Sequence, residues 1–399
     1  MHIVLITGHQ YPVGTALANR VRSYLEELAD MGNKVQVIIY RPSEQRGCVL
    51  NGRQGELNQV TYTSSAHSLV KNDNPFVARL TWIYGYINCL RMLRREHKKK
   101  PVDVIIQASA KSSIIPLVYL FCRKNNCKYV LENSEYPWFI LKKRNLINLI
   151  DKLLYLHVYY RLFDGVLAMT KALYRYHERY SKKSAQIFHL PMTVDIKRFQ
   201  LDIPREDYVT YVGNNSYTKD GVKTLAESFV IISNEYPDWK LRIIGDTGHD
   251  GNIRSLFSKY GLSPRLEMLG NVHRDHIPKL LCQSRILALA RPANLQAEGG
   301  FPTKLGEYLA TGNLVVVTAV GEIPEYLEDG VSALIAKPDS VDSFSQKLHD
   351  AVEHCEQLQF IGDNGKTTCD KMFNSRVQGK RLDAFLRLLV GASLPPLKE

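Results

Sequence analysis

The stretch Ala297-Glu-Gly-Gly-Phe-Pro-Thr-Lys-Leu-Gly-Glu-Tyr-Leu-Ala-Thr-Gly312, followed by Asn313-Leu-Val-Val-Val-Thr318, decides the fold of this chain. It predicts a glycine turn, a helix that Pro302 opens and Gly312 closes, and then a buried strand. The start of a helix carries unpaired N–H groups and the positive end of the helix dipole. The stretch therefore predicts an anion site in the glycine turn.

Three polar residues beside this turn indicate which anion would fit. Thr303 and Lys304 add a hydroxyl and a positive charge at the turn, and Glu307 lies one helical turn further along. A nucleotide diphosphate needs this combination, with donors for its phosphates and an acceptor for its ribose hydroxyls. The alternative is that Glu307 is only a partly exposed glutamate on a helix.

Short apolar runs alternate with helical patterns along the chain, which favours parallel sheets covered by helices. The predicted strands are 2–7, 34–40, 103–107, 128–132, 165–168, 186–189, 208–213, 240–245, 266–270, 286–290 and 314–318. The predicted helices of the first half are 16–32, 77–97, 112–125, 144–162 and 170–181. Residues 41–76 are polar and rich in turn formers, and we expect a long loop or irregular excursion there.

The length of the chain and its cysteines limit the number of domains and the compartment that we expect. A chain of 399 residues is too long for one core and suits two domains. Its seven cysteines show no paired spacing, which indicates a reducing compartment. The apolar run 2–7 lacks a basic flank and reads as a first strand rather than a signal peptide. No apolar run reaches the length of a membrane span, so we expect a cytoplasmic protein.

The positive charge is concentrated in the first half of the chain. Residues 1–195 hold 28 Lys and Arg against 14 Asp and Glu, whereas residues 196–399 hold 24 against 26. The first half is expected to meet an acidic membrane surface, a lipid pyrophosphate or nucleic acid, unless it is simply a solvated basic surface.

Two stretches mix basic and bulky apolar residues. Residues 138–163 fit either an interfacial helix on anionic lipid or a core helix with a basic edge. The cluster Arg91–Lys100 would add to membrane attraction. These stretches predict peripheral association with the inner face of the membrane.

Several common site motifs are missing. The first strand runs into Gly8-His-Gln-Tyr-Pro-Val-Gly14, which lacks the G-x-G-x-x-G pattern, and the chain has no P-loop and no Asp-x-Asp pair. Nicotinamide chemistry and metal-dependent transfer are therefore not the leading interpretations. We expect no cofactor and no metal.

The motifs resemble those of the retaining GT-B glycosyltransferases of glycosyltransferase family 4. The resemblance extends from Tyr11-Pro-Val-Gly-Thr-Ala-Leu-Ala-Asn-Arg20 to about Val352. It implies an α/β fold with two Rossmann-like parallel-sheet domains that face each other across a cleft. These would be an acceptor-side domain at 1–195 and a nucleotide-sugar-binding domain at 196–374. A C-terminal helix within 375–399 would cross back to the first domain.

The resemblance also assigns residues to the donor. It places Gly14 and Thr15 over the donor diphosphate, Lys219 on the phosphates and Val272 near the nucleobase. The remaining donor-binding candidates follow the strand at 286–290 and are Arg291, Asn294, Gln296, Gly300, Phe301, Thr303 and Lys304. Two alternatives stay open, that Gly14 and Thr15 merely cap a helix, and that Lys219 is a solvated loop lysine.

The catalytic candidates are Lys219, Glu298 and Glu307, and here the chain departs from the family's pattern. Eight residues separate Glu298 from Glu307, where the family commonly has seven. Asn214, a further donor-binding candidate, stands where the family usually has an arginine, which weakens the grip on the diphosphate.

The acceptor-side candidates lie near the strand at 128–132. Many family members have a histidine near the strand at 128–132, but none occurs between His97 and His157. Candidate acceptor or sugar contacts are three polar residues at and just beyond the end of this strand together with one on the first helix, namely Glu132, Asn133, Glu135 and Arg20. The alternative for the three residues at the end of the strand is a structural role in a turn.

The resemblance implies a retaining transfer of a sugar from a nucleotide-diphosphate sugar to a glycan or lipid-linked acceptor. A hexosyl- or N-acetylhexosaminyl-transferase of surface polysaccharide biosynthesis is the expected class. A GT-B nucleotide-sugar epimerase is an alternative, but the sequence shows no histidine and carboxylate set for proton abstraction. A non-catalytic nucleotide-sugar-binding protein is another. A nucleic-acid partner is not expected, since no recognised motif supports it.

Overall fold

A computed structural model of the chain describes residues 1–108, 113–137, 146–213, 217–245 and 250–392. The chain divides into two compact units, Met1–Pro191 with Ser375–Glu399, and Met192–Asn374. Each unit contains a sheet covered by helices. The described residues thus form two α/β domains, which confirms the predicted fold class.

The first unit contains an eight-stranded sheet among its described residues, in the order β3-β4-β2-β1-β5-β6-β7-β8. Its strands are β1 His2–Thr7, β2 Lys34–Ile39, β3 Gln54–Leu57, β4 Val60–Ser64, β5 Val104–Ala108, β6 Lys128–Asn133, β7 Gly165–Ala168 and β8 Gln186–His189. All neighbouring pairs are parallel except β3 with β4. All six strands predicted in this half are present.

The helices of this unit cover both faces of the sheet. They are α1 Ala16–Asp30, α2 Pro75–Lys99, α3 Ile115–Lys124, α4 Leu146–His157, α5 Lys171–Tyr180 and α15 Ser375–Val390. Because side chains alternate along a strand, Ile3 and Leu5 face α1 and α15, whereas Val4 and Ile6 face the core that includes α2 and α3. Burial on both faces explains why β1 reads as a continuous apolar run.

The expectation of an irregular excursion at 41–76 is wrong for its central part, which forms the hairpin β3–β4. Asn58 and Gln59 connect the strands with φ of 48° and 62°, as a two-residue hairpin turn requires. The sequence pattern did not predict this hairpin, because β3 lies at the sheet edge and its side chains are mostly exposed. No alternation of apolar and polar residues therefore marks the strand.

The second unit has a six-stranded, wholly parallel sheet among its described residues, in the order β11-β10-β9-β12-β13-β14. The strands are β9 Glu206–Val212, β10 Lys240–Ile244, β11 Leu266–Gly270, β12 Ser284–Leu289, β13 Leu314–Thr318 and β14 Leu334–Ala336. Sequence patterns predicted the first five of these but not the three-residue β14.

The helices of the second unit connect these strands. They are α6 Tyr217–Asp220, α7 Val222–Ile232, α8 Asp250–Lys259, α9 Ile277–Gln283, α10 Leu295–Gly299, α11 Thr303–Thr311, α12 Ile323–Tyr326, α13 Val341–Glu353 and α14 Gln359–Met372. Within the described part of the chain, no helix is both long and apolar enough to cross a membrane.

Candidate active site

The second sheet has a topological switch point between β9 and β12. The chain leaves β9 towards β10 on one side and returns at β12 on the other. Loops diverge at the carboxyl ends of such strands and leave a crevice for ligands. Gly213 follows β9 and Arg291 follows β12, so both lie at this crevice.

Two glycines let the loops approach each other closely at this edge. Gly221 has a φ of 68°, and a Cβ there would collide with the carbonyl of Ala290. Gly245 has a φ of 125°, and a Cβ there would collide with the carbonyl of Gly213. The backbone approach at the ends of β9, β10 and β12 therefore depends on the absence of side chains.

Lys304, on the first turn of α11, is held in a buried network. Its Nζ donates to Oδ2 of Asp220 at 2.6 Å and to the hydroxyl of Tyr211 at 3.0 Å. The Tyr211 hydroxyl donates to the same Asp220 oxygen at 2.8 Å. Only 15% of the Lys304 side chain and 5% of the Asp220 side chain are exposed. A Cβ on Gly213 would collide with Nζ, so the ammonium lies directly against the Gly213 backbone.

Two further cations act on this network. Burial lowers the pKa of Lys304, the charge of Asp220 opposes this shift, and the charges of Arg291 and Lys219 add to it. Lys304 is therefore affected by two positive groups and one carboxylate, and the formal charges of the four groups together sum to two positive. Such a cluster at a helix start favours an anion with about two negative charges.

The start of α11 supports the same conclusion. Pro302 occupies the N-cap position, one residue before the position expected from the sequence, and no side chain among the described residues caps the helix. The N–H of Leu305 donates to the carbonyl of Pro302 at 3.0 Å, so the N–H groups of Thr303 and Lys304 are the ones that a ligand would meet. Gly312 ends the helix with a φ of 75°, as the sequence predicted.

Glu307 is half-buried one turn along α11. Burial raises the pKa of its carboxyl group, and the positive charges of Arg198, Arg274 and Lys304 oppose this shift. Among the described residues, no hydrogen bond or ion pair to Glu307 is formed. The carboxylate is thus an acceptor whose hydrogen-bonding capacity is left for a ligand.

Arg198 and Arg274 were not among the predicted site residues. Arg198 donates to the backbone carbonyl of Arg274 at 2.9 Å, which joins the two loops beside Glu307. Both arginines lie in or near segments that resemble family motifs. Arg198 lies in the run His189–Phe199, and Arg274 closely follows Gly270-Asn-Val272. Nothing in either run, however, shows that both face Glu307.

The predicted glycine turn before α11 is partly helical, which corrects two expectations. Asn294 caps α10, its Oδ1 accepting from the N–H of Ala297 at 2.8 Å. The Gly300 N–H, expected to meet phosphate, donates to the carbonyl of Gln296 at 3.1 Å. Glu298 is exposed on α10. The short helix arises because Asn294 offers a cap at the right spacing.

The other donor-side candidates are dispersed. Phe301 is buried and packs against the rings of Tyr326 and Phe373, which gives it a core role. Val272 is half-buried just after β11. Lys219 lies on the short helix α6, and Asn214 lies outside the described residues.

In the first unit, Gly14 and Thr15 follow β1 at the switch point of that sheet, between β1 and β5. Thr15 caps α1, its hydroxyl accepting from the Ala18 N–H at 3.4 Å, and Gly14 has a φ of 143°. The capping interpretation therefore describes the local structure. Asn51 braces the preceding loop through both polar groups of the Val13 backbone.

Arg20 and Glu132 require a correction. They form a buried ion pair at 2.9 Å, and each side chain is 1% exposed. The other two guanidinium nitrogens of Arg20 donate to the carbonyls of Pro191 and Leu190 at 2.6 and 2.7 Å. Arg20 links α1 to β6 and to the end of the first half of the chain, so neither group is exposed to an acceptor.

Asn133 and Glu135 differ in their surroundings. Asn133 is half-buried and its amide lies 2.7 Å from Nε2 of His177 on α5. His177 is fully buried, and burial lowers its pKa to about 3, so the imidazole is neutral. Glu135 is exposed. The sequence could not reveal His177, since it lies 44 residues beyond Asn133 along the chain.

Comparison with known proteins finds a family match in the second unit. Residues 193–368 match the family described as glycosyl transferases group 1. One relative is the gpi3 subunit of phosphatidylinositol N-acetylglucosaminyltransferase from Schizosaccharomyces pombe, which is 28% identical over 171 residues, 41% of this chain and 36% of that protein. The chain matches between 35% and 45% of the length of its curated relatives.

Solved structures extend the likeness to the whole fold. Sucrose-phosphate synthase from Thermosynechococcus elongatus is 17% identical, with a TM-score of 0.73 over 98% of this chain and 100% of that one. Anabaena HepE in complex with UDP-glucose is 13% identical, with a TM-score of 0.68 over 97% and 100%. At these identities the likeness establishes the fold alone.

The family match falls within the second unit, around the network of Lys304 and Asp220, and the structural likeness includes both sheets. Residues 193–368 of the chain therefore match the glycosyl transferases group 1 family, and the chain has the GT-B fold.

Proposed function

We propose that this protein is a retaining glycosyltransferase. It moves a sugar from a nucleotide-diphosphate donor to a glycan or lipid-linked acceptor in surface polysaccharide biosynthesis. The observation that carries the proposal is the buried network of Lys304, Asp220 and Tyr211 at the start of α11, with the carboxylate of Glu307 one helical turn away. The charges of Lys219 and Arg291 also act on Lys304.

The comparisons support the donor class. The HepE structure contains UDP-glucose, and the gpi3 subunit is named for transfer of N-acetylglucosamine to phosphatidylinositol. A hexose or an N-acetylhexosamine on a nucleoside diphosphate is therefore the proposed donor. The cations at this site would bind its diphosphate, and Glu307 would accept hydrogen bonds from its ribose hydroxyls.

The proposed reaction needs no protein nucleophile. The bond between the anomeric carbon and the phosphate oxygen breaks, and the acceptor oxygen attacks the same face of an oxocarbenium-like carbon. The acceptor's proton passes to the leaving phosphate. Lys219 and Lys304 stabilise the negative charge that develops on the diphosphate, which is the main task left to the protein. Retention of configuration and independence from metal are parts of this proposal.

The first unit supports a proposed location for the acceptor. Its basic charge excess would draw the enzyme to an anionic membrane surface, where a lipid-linked acceptor is found. Acceptor contacts from Asn133 and Glu135 are also proposed, because Asn133 ends β6, Glu135 follows it, and both lie outside the buried core.

A panel of nucleotide sugars tests the proposal. Thermal shift of the purified chain identifies the donor, and release of the nucleoside diphosphate with and without glycan acceptors measures turnover. Lys219→Ala and Glu307→Ala should each lower turnover by roughly 100-fold, the usual scale for removing one stabilising group. Lys223→Ala is the matched control, because Lys223 is 62% exposed and, among the residues that the structure describes, pairs only with Glu227, at 3.5 Å.

The possible outcomes separate the alternatives. Stabilisation by a donor without any turnover would favour a non-catalytic nucleotide-sugar-binding protein. Full activity in both Lys219→Ala and Glu307→Ala would reject the site. An inverted anomeric product, detected by NMR, would reject the retaining mechanism.

A further inference from the structure

Three neighbouring helices of the first unit expose an unusual amount of apolar surface. Helices α2 and α3 pack on each other, and α3 packs on the turn Tyr159–Leu162 that follows α4. All three contribute to one core on the same face of the sheet. Their outward sides carry 12 of the 25 large apolar side chains that are exposed in the described part of the chain. A surface of this kind marks an interaction site.

Helix α2 carries the most regular part of this surface. Phe76, Leu80, Ile83 and Ile87 recur at spacings of three and four residues and are 71%, 52%, 54% and 45% exposed. They therefore lie on one side of the helix. The opposite side of α2 faces the core through Tyr86, Cys89 and Leu93.

The same side of α2 becomes basic towards its carboxyl end. Arg91, Arg94 and Lys98 continue the spacing of the apolar row, and all three are exposed. Apolar and basic groups thus follow each other along a single stripe, from Phe76 to Lys98, about 33 Å long at roughly 1.5 Å per residue.

The neighbouring helices extend the apolar region. On α3, Leu117 and Leu120 are exposed, and the helix ends in Arg123 and Lys124. On α4, the exposed apolar residues are Leu149, Ile150, Leu153 and Leu154. The result is a broad apolar face with basic residues at the helix ends.

We infer that this face, formed by the outward sides of α2, α3 and α4, is a docking surface for an anionic phospholipid bilayer. The inference rests on the proposed membrane partner of the first unit and gives it a defined location. The apolar side chains would enter the interface between headgroups and acyl chains, while the arginines and lysines contact lipid phosphates.

Charge favours a bilayer over a second copy of the chain. Helix α2 holds six basic residues against a single acidic one, Glu96. Glu96 is already paired with Lys34 and Lys99 at 2.9 and 2.7 Å. Helix α3 has no acidic residue, and α4 has one, Asp151, which is half-buried. The face therefore offers little negative charge to match the basic end of its own symmetry mate, whereas anionic lipid matches that end directly.

Sedimentation with lipid vesicles tests the inference on the full chain. We expect binding to vesicles that contain phosphatidylglycerol, and little binding to vesicles of phosphatidylcholine alone. The combined change Arg91→Glu, Arg94→Glu and Lys98→Glu should weaken binding by on the order of tenfold or more. The combined change Leu80→Ser, Ile83→Ser and Ile87→Ser should weaken it similarly, because it removes the apolar anchors.

Matched controls come from the second unit, where residues of the same kinds are exposed. The charge control combines Arg254→Glu, Lys259→Glu and Lys279→Glu, and the apolar control combines Ile231→Ser with Phe360→Ser. Both should bind vesicles like the wild type. Unfolding curves and donor thermal shifts should be unchanged for the surface variants, which separates this test from that of the proposed function.

Two results would overturn the inference. One is wild-type binding to anionic vesicles that neither set of changes in α2 reduces. The other is a dimer in solution that the serine changes convert to a monomer, with no vesicle binding by either protein. That second result would assign the face to self-association.

Discussion

At the scale of single residues, the proposed site depends on a buried lysine that a carboxylate holds in place. Lys304 and Asp220 are 84 residues apart in sequence and 2.6 Å apart in the structure. A bound diphosphate would add negative charge beside Lys304. Asp220 is therefore a positioning residue that keeps the ammonium at the site while no donor is bound.

Asp220→Asn should destabilise the donor-free protein, because it leaves the Lys304 charge without its counterion. We expect a loss of roughly 2–4 kcal/mol in the free energy of unfolding, near the range for breaking a buried ion pair. The donor should then raise the melting temperature of the variant more than that of the wild type, since the diphosphate replaces the lost carboxylate. Equal donor-induced shifts in both proteins would contradict the positioning role.

Glu307→Gln should raise stability and lower donor affinity. Because the pKa of Glu307 is raised in the folded protein, its ionisation opposes folding. This penalty is absent below the ordinary glutamate pKa, grows as pH rises to the folded-state pKa, and is constant above it. The glutamine variant should therefore melt higher at pH 7, by roughly 1–3 °C, and the difference should vanish in acid.

The same carboxyl group predicts how donor binding depends on pH. Protonation of Glu307 removes an acceptor for ribose hydroxyls, and its raised pKa makes this happen at a higher pH than for an exposed glutamate. Donor affinity of the wild type should therefore fall on mild acidification, whereas that of Glu307→Gln should stay flat. Parallel pH profiles, measured by titration calorimetry, would remove Glu307 from the site.

At the scale of elements, the crevice depends on how closely the loop before α7 approaches the end of β12. Gly221→Ala tests this approach, because the new Cβ would meet the Ala290 carbonyl. Gly261→Ala is the matched control, since Gly261 has the same φ of 68° and open space around it. The control should lose about 1–2 kcal/mol for the left-handed conformation, and Gly221→Ala about 1–3 kcal/mol more for overpacking.

Chemical denaturation measures both glycine variants. If they lose the same stability, the contact between Gly221 and Ala290 is not what shapes the crevice. A larger loss in Gly221→Ala, with reduced donor binding, would support the close approach.

At the scale of the whole molecule, the C-terminal helix α15 belongs to the first unit although it follows the second in sequence. Asp383 accepts from the Asn33 amide at 2.8 Å, and Phe385 stacks on Phe188 at 4.7 Å. Leu382 and Leu386 are fully buried in the core beside α1. The first unit is therefore incomplete without the end of the chain.

Leu386→Ala should destabilise the first unit by about 2–5 kcal/mol, the cost of a large cavity in a core. Leu388→Ala on the same helix is the control, because Leu388 is 63% exposed and its loss should change stability by no more than about 0.5 kcal/mol. Hydrogen exchange should show faster exchange in α1 and β1 for Leu386→Ala only. Equal protection in the two variants would show that α15 does not support this unit.

The sequence by itself determined eleven of the fourteen described strands, the main helices of the first half, the two-sheet class and the segment from Pro302 to Thr318. These features depend on local signals, namely apolar periodicity, a glycine at a helix end and the family's motifs. The hairpin at 54–64 and strand β14 were not predicted, because an exposed edge strand and a three-residue strand carry almost no periodic pattern of apolar residues.

Only the tertiary structure decided which polar residues meet. Arg20 and Glu132, 112 residues apart, form a buried ion pair rather than an acceptor site. Asp220 lies beside Lys304, and Arg198 and Arg274 act on Glu307, although no motif links them. The physical reason is that secondary structure follows from neighbours along the chain, whereas the partner of a charge depends on which loops the fold brings to the same sheet edge.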